Sequence, residues 1–548
     1  MDAALAPLLG IGGALLLSHV LDAVKSVLEH DVSQQIDGRL RARVRRLSLR
    51  PETITHIEDP RFQDDLVRAA DIGLASEGRE RSPGMAAAAQ LSLLARLVSA
   101  VFSALVLARY SWLLAVAILA AAVATRAVLR RQWLHLASVS DAAAPVERRT
   151  RYWSSVLSGS RDAKEVRLYG LARYFGDLRT RDAQRWIDTY LTELRGVLRG
   201  QHWALVLAGA SAFTGMLLPA LAASSGSISV SLLASSLVAA WAILAISFIG
   251  REAFDIERGV KSYDAVVRLT AEGRQWSVAE HGRAPLRTAQ PGIRFDGVCF
   301  GYPGSDRRIL DGLDLEVRAG EVTAIVGGNG VGKTTLIKLL SGLYRPTSGR
   351  ILLDGQDLAD VDLTAWRRRL AVVFQDFVHY PLSVGENIRL SAPEQAADEQ
   401  ALRDALLLAG ATDVLSGREG ELGSSLWSGG TGADGLSGGQ WQQLAIARAV
   451  YALGHGRTCV VLDEPTAHLD VRAETRFYQQ VVTSLPGATV LLISHRLSTV
   501  RHADRILVLR DGRLAEQGNH RELMAHAGEY ARLFALQAER FHLREAAS

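Results

Sequence analysis

The fold of this chain is decided by a glycine-rich stretch, Gly327-Gly328-Asn329-Gly330-Val331-Gly332-Lys333-Thr334-Thr335. It follows the apolar run Val322–Val326 and precedes the helical pattern Leu336–Leu340. Strand, glycine loop and helix in this order are the context in which such a stretch binds polyphosphate. Glycines let backbone N–H groups surround an anion without Cβ clashes, and the helix N-terminus adds unpaired donors. We expect Lys333 to reach the β- and γ-phosphates and the Thr334 hydroxyl to hold Mg²⁺; the alternative is an ordinary glycine turn.

The composition indicates a membrane part joined to a soluble part. A length of 548 residues leaves room for several domains. Hydrophobic residues make up 48% of the chain and mean hydropathy is +0.10, although 22% of the residues are charged. The net charge of +4 gives no argument for nucleic acid as a partner. The two cysteines, Cys299 and Cys459, form neither a disulfide framework nor a zinc spacing.

Five apolar stretches in the first 250 residues are predicted membrane spans. A signal peptide is the alternative for the first stretch, but the chain begins with an acidic residue, Asp2, rather than a basic region. Arginine-rich stretches separate the spans, and the positive-inside rule places them as long loops in the cytoplasm. We therefore expect a multi-pass protein of the cytoplasmic membrane. The predicted spans are 3–21, 85–107, 111–125, 202–223 and 228–249.

The second half of the chain has the pattern of a soluble α/β domain. Strands and helices alternate from Ile293 onward, which predicts a mainly parallel sheet with an antiparallel part. The polar stretch 271–291 has no sustained periodicity and is predicted to be a linker. The domains are thus a transmembrane domain at 1–270, a linker and a nucleotide-binding domain at 292–548. Strands are predicted at 293–302, 351–353, 458–462, 489–493 and 505–509, with Asp511-Gly512 as a hairpin turn.

Two acidic residues follow a buried strand pattern, Cys459–Leu462, in the soluble half. The carboxyl ends of such strands are where α/β sheets place their active sites. We expect Asp463 to bind the Mg²⁺ that Thr334 also holds, and Glu464 to polarise an attacking water. Acids that merely cap a strand end are the alternative.

Three further side chains are candidates for the same site. Gln375 follows a short strand and is placed to reach the metal, and His495 follows another strand and is placed to contact the γ-phosphate. Taken alone, either is more typical of a surface residue than of an active site. Tyr302 precedes a proline turn, and stacking on adenine and packing in a local core are both open.

A second anion-binding helix start is predicted at Leu436-Ser437-Gly438-Gly439-Gln440. Lys333 already accounts for one phosphate chain. A second such element in one domain is understandable if it faces a nucleotide held by another copy of the domain.

These motifs, in this order, resemble the ATP-binding cassette (ABC) transporters, specifically exporters with membrane and nucleotide domains fused on one chain. The resemblance implies an all-α transmembrane domain followed by an α/β P-loop ATPase domain. It also implies that two nucleotide domains enclose two ATP molecules, each between the glycine loop of one chain and Leu436–Gln440 of the other. Asp470 is then the residue of the D-loop, and the segments Ile57–Leu66 and Ser160–Gly170 are coupling helices.

The sequence also departs from the family pattern. Exporters of this type have six spans in each half, and the first of these is expected to lie upstream of Met1. His468 stands where a small residue is commoner, and the stretch Ser428–Gly435 lacks the usual acidic-glycine pattern. These departures concern the coupling between ATP and transport rather than ATP binding.

The resemblance implies ATP-driven export by an ATPase that works as a homodimer or with a related half-transporter, its nucleotide domain in the cytosol. Peptide, lipid, drug and secondary metabolite all remain open as substrates. A non-transport ATPase acting on DNA or ribosomes is an alternative that the spans argue against. A regulatory or inactive subunit is a third possibility.

Overall fold

The computed structural model describes residues 2–70, 82–142, 144–159, 162–247, 252–278, 282–417, 421–426, 435–466 and 487–536. The chain divides into two compact units. One comprises Met1–Ser48 and Arg61–Glu272, and the other Leu49–Pro60 and Gly273–Ser548.

The first unit is helical. Along residues 2–278 the helices are α1 (Asp2–Leu49), α2 (Thr55–Glu58), α3 (Pro60–Ala70), α4 (Pro83–Ala108), α5 (Trp112–Ala142), α6 (Ala144–Ser158), α7 (Ala163–Leu168), α8 (Ala172–Ser224), α9 (Val230–Leu244) and α10 (Glu252–Val278). Helix α2 belongs to the second unit.

Four helices of the described residues are long and apolar enough to cross a membrane. They are Pro83–Ala108, Trp112–Leu136, Ala172–Ser224 and Val230–Ser247. Each contains or overlaps one of the last four predicted spans. The predicted span at 3–21 lies within α1, but most of its side chains are outside the described residues, so it stays a prediction.

The polar stretches that the sequence predicts as long loops are largely helical. Helix α8 has 53 residues and enters the apolar stretch 202–223 without a break. Helix α10 continues to Val278, so the first part of the predicted linker is helical too. Alanine, leucine, arginine and glutamate are good helix formers, and a helix therefore continues where the hydropathy falls.

Two clusters of buried side chains hold the first unit together. In one, Leu107 of α4, Ile118 of α5 and Ile243 of α9 are almost fully buried. In the other, α3 packs against α10, where Asp65 accepts two hydrogen bonds from Arg268, at 2.8 and 2.7 Å. A paired, two-pronged bond of this kind fixes the orientation of the two helices.

The second unit is built on two sheets. Its strands are β1 (Ile293–Gly301), β2 (Arg308–Val317), β3 (Val322–Gly327), β4 (Ser348–Leu353), β5 (Gln356–Asp357), β6 (Leu370–Val373), β7 (Cys459–Asp463), β8 (Thr489–Ile493), β9 (Arg505–Arg510) and β10 (Arg513–Gly518). Strands β2-β1-β4-β5 form an antiparallel sheet, and β10-β9-β3-β8-β7-β6 form a sheet that is parallel except for β10. The predicted α/β fold, mainly parallel with an antiparallel part, is confirmed.

Helices cover these sheets. They are α11 (Lys333–Leu340), α12 (Leu363–Arg367), α13 (Val384–Arg389), α14 (Glu399–Leu408), α15 (Gly438–Gly454), α16 (Leu497–Val500) and α17 (His520–Ala525), and residues 529–536 are also helical. Every residue of β7 and β8 is buried, as is typical of strands covered on both faces. Because β3, β8 and β7 are parallel neighbours, the loops that follow them meet at one edge of the sheet.

The short segment Leu49–Pro60 packs on the second unit although it is distant in sequence. The backbone N–H of Ile54 donates to the Leu343 carbonyl at 3.0 Å, and the Tyr344 hydroxyl donates to the Glu58 carboxylate. The stretch predicted as one short helix at Ile57–Leu66 thus spans the end of α2 and the start of α3. The other predicted segment contains α7, and residues 160 and 161 lie outside the described part.

Candidate functional site

A cavity of about 820 Å³ opens where the loops after β3, β7 and β8 meet. It collects most of the side chains that the sequence motifs single out. Its lining residues are Tyr302, Arg307, Ile309, Val326, Gly327, Gly328, Asn329, Gly330, Gly332, Lys333, Thr334, Thr335, Gln375, Asp463, Glu464, Ser494, His495, Leu533 and Leu536.

The glycine loop takes a backbone path that requires glycine. Gly330 and Gly332 have φ angles of 77° and 104°, in the region that side chains with a Cβ rarely adopt. A Cβ on Gly332 would lie 2.6 Å from Leu310 Cδ2. Gly332 is the N-cap of α11, so the loop leads directly into a helix start with free N–H donors. The backbone is therefore arranged as an anion cradle.

Lys333, the first residue of α11, points back over this loop. Its ammonium donates to the carbonyls of Gly327 and Gly328, each at 2.9 Å. Burial lowers the pKa of Lys333, while the nearby carboxylates Glu464 and Asp463 act in the opposite direction. An anionic ligand in the cavity would meet this cation directly, since Lys333 lines the cavity wall.

Two oxygen ligands for a divalent cation stand side by side. The Thr334 hydroxyl donates to Asp463 Oδ2 at 2.9 Å, and Gln375 lines the same cavity. Burial raises the pKa of Asp463, against the hydrogen bond from Thr334, which lowers it. A nearby cation stabilises the charged form of a carboxylate whose burial disfavours that charge. Hydroxyl, carboxylate and amide oxygens are also ligands that suit Mg²⁺. The residues present thus fit a magnesium ion.

Glu464 is held firmly on three sides. Its φ angle of 49° is left-handed, which is uncommon for a residue with a Cβ and is characteristic of functional sites. The carboxylate accepts from Gln375 Nε2 at 3.2 Å and lies 3.2 Å from His495 Nδ1. The Glu464 carbonyl accepts from Gln442 Nε2 at 3.1 Å, a contact that the sequence reasoning missed. This geometry aims a carboxylate into the cavity beside an amide and an imidazole.

Tyr302 lies between the cavity and a local aromatic cluster, and its stacking on adenine stays a prediction. Its hydroxyl shares a hydrogen bond with the Thr335 hydroxyl at 3.1 Å, and the residue lines the cavity. Its ring also makes an edge contact with Tyr344 at 5.4 Å, and Lys338 Nζ lies 5.3 Å from the ring centroid. Tyr302 therefore joins the cavity wall to a local aromatic cluster.

The helix start at Leu436–Gln440 is well formed but does not line this cavity. Ser437 caps α15, because its hydroxyl accepts from the Gln440 N–H at 3.2 Å while the Gln440 side chain accepts from the Ser437 N–H at 2.9 Å. Asp470 and residues 428–434 lie outside the described residues.

Several lining residues were not anticipated from the sequence. Arg307 and Ile309 lie just after the turn that follows Tyr302, and an aromatic residue before such a turn is the signal that could have drawn attention to them. Leu533 and Leu536 come from the C-terminal helical residues 529–536. No local pattern reveals that this helix returns to the cavity, because other lining residues such as Lys333 and Asp463 are distant in sequence.

Comparisons with known proteins concern the ATPase domain and the overall fold. The model of the ABC transporter family matches residues 310–467. The ATP-dependent lipid A-core flippase of Ralstonia nicotianae is 41% identical over 259 residues, which are 47% of this chain and 43% of that protein. The flippase of the same name from Chromobacterium violaceum is 36% identical over 282 residues, 52% of this chain and 46% of that protein. The chain thus matches a little under half the length of these curated relatives.

A solved structure matches over almost the whole chain. The structure of a bacterial Atm1-family ABC exporter with ATP bound has a TM-score of 0.73 and is 25% identical, covering 96% of this chain and 88% of its own. The helical unit and the α/β unit therefore both have counterparts in one exporter polypeptide. The chain thus carries an ABC transporter domain at residues 310–467 and shares the fold of an ABC exporter half, with a helical domain and an ABC ATPase domain fused on one polypeptide.

Proposed function

We propose that this chain is half of an ATP-driven exporter of the cytoplasmic membrane, with its ATPase domain in the cytosol. The observation that carries the proposal is the single cavity in which the glycine loop, Asp463, Glu464, Gln375 and His495 converge. Four helices long and apolar enough to span a membrane precede it among the described residues.

Each side chain has a role that follows from its position. The glycine loop and Lys333 bind the phosphates of ATP. Thr334 and Asp463 hold Mg²⁺, with Gln375 near enough to join them. When bound, Mg²⁺ supplies charge that offsets the phosphate oxygens. Glu464 accepts the proton of the attacking water, and His495 and Gln375 fix the direction of its carboxylate.

The site of one chain is incomplete. The capped helix start at Ser437–Gln440 has donors suited to phosphate, yet it lies outside the chain's own cavity. A second chain, either another copy or a related half-transporter, supplies this element to the nucleotide, and Asp470 belongs to the same contact. Closing two ATPase domains on ATP, and opening them after hydrolysis, is then what drives the helical domain.

The substrate class that the relatives favour is lipid. Those relatives are named ATP-dependent lipid A-core flippases, and the name applies to those proteins. For this chain lipid is the first of the four open classes to test, ahead of peptide, drug and secondary metabolite.

The ATPase activity of the purified chain in lipid nanodiscs tests the catalytic part. We expect Glu464→Gln to lower kcat about a thousandfold while ATP still binds, because the carboxylate serves hydrolysis rather than binding. Equal kcat in wild type and variant would refute the assignment of Glu464. Flipping of a fluorescent phospholipid in proteoliposomes, with Glu464→Gln as control, tests the substrate class separately.

A further inference from the structure

The loop that follows Gln375 has no helix or strand between residues 376 and 382, yet it is held along its length by helix α15. Arg448 of α15 donates to the Val378 carbonyl at 3.1 Å, and its guanidinium lies 5.1 Å from the centre of the Tyr380 ring. Arg448 also donates at 2.7 Å to Asn387, which is fully buried. This end of the loop is therefore fixed to the middle of α15.

Asn387, in helix α13, holds the same part of the loop. Its amide nitrogen lies within hydrogen-bond distance of the carbonyls of Tyr380, Leu382 and Ser383, at 3.1, 3.3 and 3.0 Å. Arg448 and Asn387 thus tie α15, α13 and the loop into one rigid group, because a buried polar network of this kind has few alternative arrangements.

A second contact between the loop and α15 lies at the start of this helix. The imidazole of His379 lies flat on the indole of Trp441, with ring centres 4.3 Å apart and planes 5° from parallel. Trp441 is buried, with only 8% of its surface exposed, whereas His379 is exposed. The imidazole therefore shields one face of the indole from solvent. Offset and parallel aromatic contacts of this type carry a preference in orientation beyond the area they bury.

This stack connects two functional elements that are also linked through Glu464, which accepts hydrogen bonds from Gln375 and from Gln442 of α15. His379 is four residues after Gln375, which faces the chain's own cavity. Trp441 directly follows Gln440, the last residue of the helix start that lies outside that cavity. The pair of rings is therefore one direct physical route between the loop after Gln375 and the first turn of α15.

We propose that His379 and Trp441 are positioning residues, which make the helix start at Ser437–Gln440 follow the position of Gln375. ATP in the chain's own cavity thereby sets the surface that the chain offers to the nucleotide of its partner. This inference rests on the proposed two-chain site. It adds to that site two residues that do not line the cavity and that act through the helix start.

The same helix provides a matched control. Near its other end, Tyr451 and His455 form a second contact between an imidazole and an aromatic ring, with centres 4.0 Å apart. His455, the C-cap residue of α15, is remote from the loop after Gln375, since it comes fourteen positions after Trp441, a rise of about 21 Å along the helix. His455→Ala therefore removes a similar contact from the same helix without touching the proposed connection.

The test measures kcat and KM for Mg²⁺-ATP with the full chain in nanodiscs. We expect His379→Ala to lower kcat about two- to tenfold, the range that loss of one aromatic pair provides. KM should stay within about twofold of wild type, because the glycine loop and Lys333 are untouched. His379→Phe keeps a flat ring and should restore kcat, and His455→Ala should match wild type.

Three outcomes would overturn the inference. They are an unchanged kcat in His379→Ala, a loss in His379→Phe as large as in His379→Ala, and an equal loss in His455→Ala, which would indicate general loosening of α15.

Hydrogen–deuterium exchange keeps this test separate from the proposed function. Without nucleotide, amides of residues 436–442 should exchange faster in His379→Ala than in wild type or His455→Ala. Equal exchange would refute the connection even if the ATPase is active. Absence of ATPase above the Glu464→Gln level would instead refute the proposed function, and the exchange experiment would still decide on the connection.

Discussion

Substitution of single glycines in the phosphate-binding loop gives a graded test of the backbone geometry. Gly328 is outside the set of glycines with positive φ, and a Cβ there would lie 3.7 Å from Val331 Cγ1, an ordinary contact. Gly330 has a φ of 77° with open space around a Cβ. Gly332 has a φ of 104°, and its Cβ would meet Leu310 Cδ2 at 2.6 Å. Alanine is therefore expected to cause no strain at Gly328, backbone strain alone at Gly330, and backbone strain together with a steric clash at Gly332.

The expected losses of stability follow from these differences. Gly328→Ala should change the free energy of unfolding of the ATPase domain by about 0.5 kcal/mol or less, as for a surface change without strain. Gly330→Ala should cost about 1–2 kcal/mol, the price of a left-handed residue with a Cβ. Gly332→Ala adds the displacement of Leu310, which is fully buried, and should cost about 2–5 kcal/mol in total.

The measurement is the urea midpoint of the ATPase domain in the full chain, followed through exchange protection of β3, Val322–Gly327. No nucleotide is added, so that loss of ligand binding does not enter the stability. The order of the three midpoints is the critical result. If Gly332→Ala unfolds no earlier than Gly330→Ala, the close approach to Leu310 is not a feature of the folded protein and the reasoning fails.

Two further predictions concern contacts within the ATPase domain. Tyr344→Phe removes the hydroxyl that donates to the exposed Glu58 carboxylate and should loosen segment 49–60 by about 1 kcal/mol. The measurement is trypsin cleavage at Arg50, which should be roughly fivefold faster. Glu58→Ala removes the acceptor and should have the same effect, and unchanged cleavage in both variants would contradict the contact. Hydrogen bonds from Arg513 and Arg308 lower the pKa of Asp311 below its usual 3.8. These hydrogen bonds therefore contribute their whole stabilisation of the folded state above pH 3.8, and the contribution is lost as the pH falls through the lower pKa that Asp311 has in the folded state. Asp311→Asn should flatten this acid loss in unfolding measurements, and an unaltered pH dependence would argue against the contribution of the pair.

The ATPase domain was the more predictable half of the fold, for physical reasons that particular residues illustrate. The buried run before Asp463 and the glycines before Lys333 are local patterns with few alternative structures. The turn at Asp511-Gly512 is equally local, and both residues have the positive φ angles, 49° and 74°, that such a turn requires. The cavity could be anticipated because parallel strands bring these local elements to one edge.

The helical half and the distant contacts were less predictable. Hydropathy shows where a helix can lie in a membrane but not where the helix ends, so the full extents of α1 and α8 did not follow from it. The contact of Glu58 with Tyr344 and the return of Leu536 to the cavity depend on residues far apart in the chain. A sequence pattern that is read locally contains no information about such partners.

The placement of segment 49–60 on the ATPase domain has a consequence for the synthesis of the protein. Glu58 leaves the ribosome 286 residues before its partner Tyr344. At about 5–20 residues per second, this delay is roughly 15–60 s. The ATPase domain is thus discontinuous, and the early segment waits in the nascent chain until β1, β2, β3 and the residues after α11 have been made. Its docking needs partners that are made much later than the segment itself, and a polypeptide expressed from residue 282 onward would lack this piece of its own surface.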